Sequence, residues 1–302
     1  MARGVRIATR RSRLALWQAE FVAARLAAAH PGLVVSLVPI VTEGDRIQGR
    51  SLTAAGGKGL FIKELENALA DGRADVAVHS MKDMPAAMPD GFAIGAALER
   101  GDPRDAFVSS HHESLAALPA GARVGTSSLR RQCQVRHRRP DLAVVPLRGN
   151  VDTRLAKLDA GECDAIILAA AGLDRLGFAS RIRARLEPRD MLPAVGQGIM
   201  GIECLADRDE IAELVRPLEH GPARSALTAE RALAAGLGAS CNSPIAGYAT
   251  VADGSLRLEG LAGSADGSRI VADAVSGAEG DAEALGRALA DKLLAAGAGT
   301  LL

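Results

Sequence analysis

The side chains best suited to chemistry gather in a few short stretches. His79-Ser80-Met81-Lys82-Asp83-Met84-Pro85 follows the apolar run Ala74–Val78. A carboxylate presented at a strand end among cations can stabilise a developing positive charge, and those cations hold its pKa low. The plainer reading of Lys82-Asp83 is an ordinary polar turn. Gly125-Thr-Ser-Ser-Leu-Arg-Arg131 has the form of a strand end, a hydroxyl-rich turn and a helix start. Unpaired backbone N–H groups, hydroxyls and guanidinium forks converge in such a place, which suits an anion. Arg148-Gly149-Asn150 repeats the arrangement, with Arg154 one turn further on, and Arg10 and Ser12 hold the matching position after the first strand. Cys241 lies in the small-residue loop Gly236–Pro244, whereas Cys133 and Cys163 fall in or beside helices and Cys204 ends a strand. A thiol in such a loop is open to a special role, although structural cysteine is the commoner case.

The elements that must position these groups alternate strand and helix. Val5–Thr9 reads as a strand. Ser12 caps a helix to about Ala29, with Leu14, Trp17, Phe21 and Leu26 on one face, and His30-Pro31-Gly32 stops it. Leu33–Ile40 is a second strand, Thr42–Gly59 a long glycine-bearing loop, Phe61–Ala70 a helix and Ala74–His79 a short apolar strand. Arg100–Asp105 looks like a crossover, after which the pattern restarts: strand Val124–Thr126, helix Ser128–Arg138, strand Ala143–Pro146, helix Val151–Ala160 and strand Ala165–Ala169. Leu192–Gly198 reads as a second hinge-like passage, and Ile199–Cys204 as a strand returning to the first domain. Short apolar strands alternating with helices predict mostly parallel sheets covered on both faces, with ligands beyond the strand ends. From about Gly221 the style changes. A helix over Ala223–Ala235 precedes hairpin strands Leu256–Leu261 and Ile270–Val275 beside Asp-Gly turns, and a closing helix spans Asp281–Ala296.

The 302 residues suffice for two or three domains. Hydrophobic residues are 48% and charged residues 24%, which excludes a disordered chain. Aromatics are only 2%, too few for a base-stacking surface, and the net charge is zero, which argues against a polybasic nucleic-acid or membrane binder. That zero hides a local surplus: residues 121–154 hold eight Arg against two Asp. Arg136, Arg138 and Arg139 have the bland alternative of a solvated helix face. No transmembrane span is visible, the Arg-rich start reads as part of the fold, and four scattered cysteines without a CxxC pair suit a reduced, cytoplasmic protein. No Walker loop, strand-borne GxGxxG or metal-ligand spacing is present.

Several of these segments, in one order through nearly the whole chain, resemble the porphobilinogen deaminase family. They are Ile7-Ala-Thr-Arg-Arg-Ser12, Gly56-Gly-Lys-Gly-Leu-Phe61, Val78-His-Ser-Met-Lys-Asp83, Gly125–Arg131, Leu147-Arg-Gly-Asn150 and Leu192–Gly198. One local departure is Ala239-Ser240-Cys241, where the family often has Gly-Gly-Cys. The resemblance implies an α/β fold of two lobes like those of type 2 periplasmic binding proteins, plus a small α+β C-terminal domain. The expected division is residues 1–99 with 199–219, residues 100–198, and residues 220–302.

The implied reaction joins four porphobilinogen units head to tail, with loss of four ammonia molecules and release of hydroxymethylbilane, in tetrapyrrole (heme) biosynthesis. The implied cofactor is a dipyrromethane primer held by a thioether to Cys241. By this analogy Asp83 is the catalytic carboxylate, and Ser80, Lys82, Thr126, Ser128, Arg130 and Arg131 bind the cofactor. Arg10, Ser12, Gln18, Lys58, Arg148, Arg154 and Arg175 would bind substrate. Six linked rings would carry about twelve carboxylates, which accounts for an arginine surplus on a neutral protein. A small-molecule substrate, no metal, no nucleic-acid or membrane partner and a monomer complete the expectation. Two other readings fit parts of the sequence: a two-lobed anion-binding protein, and a pyridoxal phosphate enzyme with Lys82 as its Schiff-base lysine.

Overall fold

The computed structural model describes residues 4–42, 62–238 and 243–302. In chain order the elements are β1 (Gly4–Arg10), α1 (Arg13–Ala29), β2 (Val34–Ile40), α2 (Lys63–Ala70), β3 (Val76–Ser80), β4 (Phe92–Ala97) and β5 (Asp105–Val108). Then come β6 (Arg123–Gly125), α3 (Leu129–Arg138), β7 (Ala143–Val145), α4 (Val151–Asp159), β8 (Ala165–Ala169), α5 (Ala170–Arg175) and β9 (Ala184–Leu186). β10 (Met200–Leu205), α6 (Asp209–Val215), α7 (Gly221–Gly236), β11 (Ile245–Ala252), β12 (Ser255–Gly263), β13 (Ile270–Ala278) and α8 (Ala282–Ala295) complete the chain.

The chain divides into two compact units, Met1–Arg100 with Ile199–Arg224, and Gly101–Gly198 with Ser225–Leu302. The first unit holds a sheet of order β2-β1-β3-β10-β4. β1 pairs in parallel with β2 and β3, while β10 runs antiparallel between β3 and β4. Strand alternation sends successive side chains to opposite faces. Ile7, Val76, Val78 and Ile202 accordingly pack with Val22 and Leu26 of α1 and with Leu214 of α6. Ala8 and Ala77, one residue out of step, pack with Leu65 and Leu69 of α2. Both faces are covered, which is why β3 opens on the apolar run Val76-Ala77-Val78.

The second unit holds a sheet of order β7-β6-β8-β5-β9, with β5 antiparallel to β8 and β9. It repeats the first arrangement, with the fourth strand again the antiparallel one. Here too alternation splits the core: Ile166 and Leu168 pack with Leu155 and Leu173, while Phe107, Val124 and Ile167 pack with Val135 and Met191. The same unit carries the antiparallel sheet β11-β12-β13, backed by Leu233 of α7 and by Leu289 and Leu293 of α8. Asp253 and Gly254, both at positive φ (50° and 72°), form the two-residue turn from β11 to β12. The α/β class is the expected one: two five-stranded mixed sheets covered by helices, and a small α+β part.

Local expectations need correction. On α1 the buried face is Gln18, Ala19, Val22 and Leu26, while Trp17 and Phe21 stack on each other at 5.4 Å as partly covered neighbours. α2 begins at Lys63, and Phe61 lies outside the described residues. β11 was hidden by its small residues, IAGYATVA, and β4 by the run FAIGAA, in which alternation has no contrast. The sheets are mixed because β5 and β10 each run against their neighbours.

Candidate active site

In the first unit, chemistry gathers where β3 ends. Ser80 closes β3, and Met81-Lys82-Asp83 make a single 3-10 turn. That turn is tied down at several points. The Met81 N–H donates to the Ile199 carbonyl at 3.0 Å, and the Met84 N–H donates to the Met81 carbonyl at 3.2 Å. Met81 and Met84 are buried, and a Cβ at Gly201 would come within 2.1 Å of the Met81 Sδ, so glycine there is what admits the methionine. Asp83 is thus an exposed carboxylate on a fixed support, beside half-buried Lys82. Gln18, only 3% exposed, donates from Nε2 to the Ser80 Oγ at 2.8 Å. Its carboxamide therefore anchors the strand end, a role the substrate-binding expectation did not foresee. Arg10 ends β1 half-buried, and Ser12 caps α1 by accepting the Ala15 N–H at 3.3 Å. Behind this end, His79 Nε2 lies 2.9 Å from the buried Glu203 carboxylate.

In the second unit, the turn after β6 has the expected form. Ser128 caps α3 by accepting the Arg131 N–H, buried Thr126 accepts the Ser128 N–H at 3.3 Å, and Ser127 Oγ both donates to and accepts from the Leu147 backbone. Arg148 is half-buried on the next turn, with no protein partner among the described residues. Asn150 caps α4 by accepting the Thr153 N–H at 2.8 Å. Gly149, at φ +114°, makes this turn possible, since a Cβ there would lie 2.7 Å from Thr153. Arg154 donates from Nε to the Gly149 carbonyl at 2.8 Å.

Arg130 and Arg131 stand differently from expectation. They are 4% and 6% exposed, sunk beneath the turn rather than displayed on it. Arg131 donates from Nε and Nη2 to the Asp105 Oδ1 and from Nη1 to the Ile167 carbonyl. Arg130 donates from Nη1 to the Leu192 carbonyl at 2.6 Å and pairs with the Asp105 Oδ2 at 2.8 Å, while its Nε is buried with no acceptor among the described residues. Burial alone would raise the Asp105 pKa, but the two guanidiniums outweigh it and hold the carboxyl far below its usual range. Burial also lowers the Arg130 pKa, against the pull of Asp105. Asp105 and its third partner Gln197 were missed: the sequence shows the first only as the end of a crossover and the second only within Leu192–Gly198.

Arg175 ends α5 and donates from Nη2 to the Gly198 carbonyl at 2.7 Å, and burial lowers its pKa against the opposing charge of Asp174. Arg136 and His137 bind the Ala265–Gly267 turn, and Arg139 donates to the carbonyls of Leu115, Ala116 and Leu118, so neither arginine is merely solvated. Lys58 and Cys241 lie outside the described residues. Burial pushes the Cys133 thiol up to about 11 and raises those of Cys163 and Cys204, so these three are inert structural thiols.

The donor set of hydroxyls, helix N-termini, half-buried arginines and an acceptor-less Arg130 Nε suits a ligand rich in carboxylates. It therefore fits the pyrrole cofactor implied by the sequence, whose rings carry acetate and propionate groups. Among the described residues no group of His, Cys, Asp and Glu could hold a metal ion, and no helix is long and apolar enough to cross a membrane.

Comparison with known proteins gives the same picture. A family model described as "Porphobilinogen deaminase, dipyromethane cofactor binding domain" matches residues 5–213, and "Porphobilinogen deaminase, C-terminal domain" matches residues 225–295. The porphobilinogen deaminase of Chromobacterium violaceum is 57% identical over 296 residues, 98% of this chain and 96% of that protein. Among solved structures, the methionine binding protein MetQ aligns over 71% of this chain and 88% of its own, at 14% identity and a TM-score of 0.46. The aliphatic sulphonate binding protein SsuA from Escherichia coli aligns over 78% and 70%, at 13% identity and 0.43. With both family domains matched in order and more than half of its residues shared with a full-length relative, the chain belongs to the porphobilinogen deaminase family.

Proposed function

We propose that Asp83 is the catalytic carboxylate of a porphobilinogen polymerisation primed on a dipyrromethane that Cys241 holds by a thioether. Family membership carries the tetrapyrrole-biosynthetic activity and the dipyrromethane cofactor. The proposal adds the roles of residues. The class of chemistry is transfer of a pyrrolylmethyl group, an alkyl-type transfer, repeated until four units are joined and hydroxymethylbilane is released. When bound, the dipyrromethane supplies the electron-rich pyrrole carbon that the first unit joins.

The observation that carries the reading is the placement of Asp83, exposed on a turn held between two buried methionines. Porphobilinogen that loses ammonia becomes electron-poor, with positive charge shared onto its ring N–H. Asp83 accepts that N–H, stabilises the cation without reorganising, and takes up the proton released on bond formation. Lys82 and Ser80 beside it, and Thr126, Ser128 and Arg130 in the second unit, hold cofactor carboxylates. Arg10, Arg148 and Arg154 take those of incoming porphobilinogen, Ser12 offers its cap hydroxyl, and Lys58 adds a further cation. Gln18 serves by fixing Ser80, and Arg175 by fixing the Gly198 carbonyl. Cys241 is the attachment point, a reading supported by the raised, buried thiols of the other three cysteines.

The proposed arrangement has three domains, 1–99 with 199–219, 100–198 and 220–302, in a cytoplasmic monomer without nucleic-acid or membrane partners. Intact mass with peptide mapping tests the assignment. The full-length protein is expected to carry two pyrrole units on the Cys241 peptide. A mass equal to the bare sequence after incubation with porphobilinogen overturns it.

A further inference from the structure

We infer that Asp105 is a positioning residue for this reaction, dividing the labour between the two adjacent arginines: Arg131 becomes a pure support and Arg130 the donor to a ligand carboxylate. The inference rests on the functional reading above and deepens it.

Asp105 is fully buried at the start of β5. Its Oδ1 accepts both Nε and Nη2 of Arg131, at 3.0 and 2.7 Å, and the Gln197 Nε2 at 3.0 Å. Gln197 is itself fixed by a second bond, 2.6 Å to the Pro103 carbonyl. With Nη1 on the Ile167 carbonyl, every nitrogen of Arg131 is engaged inside the protein. Three of its five N–H groups are thus tied to protein acceptors, including the Nε that Arg130 leaves unmade, and the expectation that both arginines hold the cofactor alike is revised accordingly.

Arg130 is held at one end only. Its Nη1 sits between the Leu192 carbonyl and the Asp105 Oδ2, and the Leu192 backbone is in turn gripped by Gln134 through its N–H at 2.7 Å and its carbonyl at 3.1 Å. The Nε is a buried donor without an acceptor among the described residues. A buried N–H left unmade is costly, so such a group marks either strain or an absent partner. The charge count gives the sign of that partner. Among the described residues, two guanidiniums, Arg130 and Arg131, pair with the one carboxylate of Asp105. The buried cluster keeps one surplus positive charge, and a buried charge needs a counter-charge. A carboxylate on the Arg130 Nε satisfies both demands. Asp105 sets where it goes, because its two oxygens fix the angle between the guanidinium planes.

The test is pyrrole uptake by full-length apo-protein, produced in a host that makes no porphobilinogen and then given porphobilinogen. The fraction carrying two pyrrole units is read by intact mass against concentration and time. For D105N, half-maximal loading is expected to need at least tenfold more porphobilinogen among molecules that are folded by near-UV circular dichroism. D105E, which keeps the charge, should recover part of that loss. A solely structural role would lower the melting temperature and leave loading of the folded fraction unchanged.

Should D105N fail to fold, the pair D105N/R131Q restores the single surplus charge while removing the holder of Arg130, and it is expected to fold and still load poorly. Wild-type loading by either folded protein overturns the inference and leaves the functional reading standing. Wild-type protein that takes up no pyrrole overturns both.

Discussion

Asp83→Asn separates scaffold from chemistry. The turn that presents Asp83 is held by the Met81 and Met84 backbone bonds and by two buried methionine side chains, none of which involves the Asp83 carboxylate. The isosteric amide should therefore change stability by no more than about 0.5 kcal/mol, as for other exposed positions. Turnover responds quite differently. One preorganised electrostatic group is worth about 10²–10³ in rate, and a positioned acid–base about 10²–10⁴. Both act here through the same carboxylate, so they overlap rather than multiply. The expected loss is about 10³–10⁴, or roughly 4–5.5 kcal/mol of barrier. Single-turnover kinetics, following porphobilinogen added to pyrrole-loaded protein by intact mass, measures the chemical step apart from loading. Asp83→Glu keeps the charge but moves it by about one bond length, and should fall between wild type and Asn. An Asn variant that elongates at near wild-type rate would falsify the assignment of the carboxylate, and equal losses for Asn and Glu would show that position rather than charge is what matters.

Other outcomes follow from the same geometry. Cys241→Ser should carry no covalent pyrrole and melt at lower temperature, because a bound ligand stabilises the folded state by linkage; pyrrole persisting in the variant refutes the attachment. Arg148→Leu should raise the KM for porphobilinogen about tenfold or more, the worth of a charge-assisted hydrogen bond. Arg138→Leu, which loses an exposed ion pair with Asp190 and an exposed hydrogen bond to the Arg189 carbonyl, should stay within about twofold; equal effects would mean the arginines are misassigned. Asp75→Asn bears on acid stability. Burial tends to raise the Asp75 pKa, but hydrogen bonds from Arg6 outweigh it and the folded value lies below the ordinary one. Its contribution is thus full above the ordinary carboxylate pKa and is lost as pH falls through the folded value. The melting-temperature gap between wild type and variant should be constant near neutrality and shrink below about pH 4; a gap undiminished at about pH 2 contradicts the linkage.

The parts of the fold legible in the sequence were those with a local cause. Ser12, Ser128 and Asn150 announced helix starts, and each accepts the backbone N–H its position requires. Asp253-Gly254 marked a turn, and both residues adopt positive φ there, although the strand it leads back to, β11, was not read. The antiparallel placement of β5 and β10 had no such signal. A strand delivered across a crossover carries nothing in its own residues that says which way its neighbours run. The apolar periodicity of α1 misled for a related reason. Trp17 and Phe21 are its bulkiest apolar residues, yet they satisfy each other by stacking, and the sheet takes smaller Ala19 and Val22.

The same distinction runs through the site. Asp83, Lys82 and Ser80 were singled out together because a strand end presents consecutive residues side by side, and the family resemblance supplied their proposed roles. Arg130 and Arg131 were found as a pair but not told apart. Neighbours on a helix point about 100° from one another and cannot serve one ligand in the same way. Which of them faces the ligand depends on Asp105, 26 residues before Arg131 in the chain, and on Gln197 from the later passage. Composition did signal the surplus of positive charge over residues 121–154. It could not show that part of this surplus is spent inside the protein, where one carboxylate supports two guanidiniums and the remaining charge awaits an anion. A sequence can thus give the sign of a binding site, but which cation does the binding is decided by which of them the fold has already neutralised.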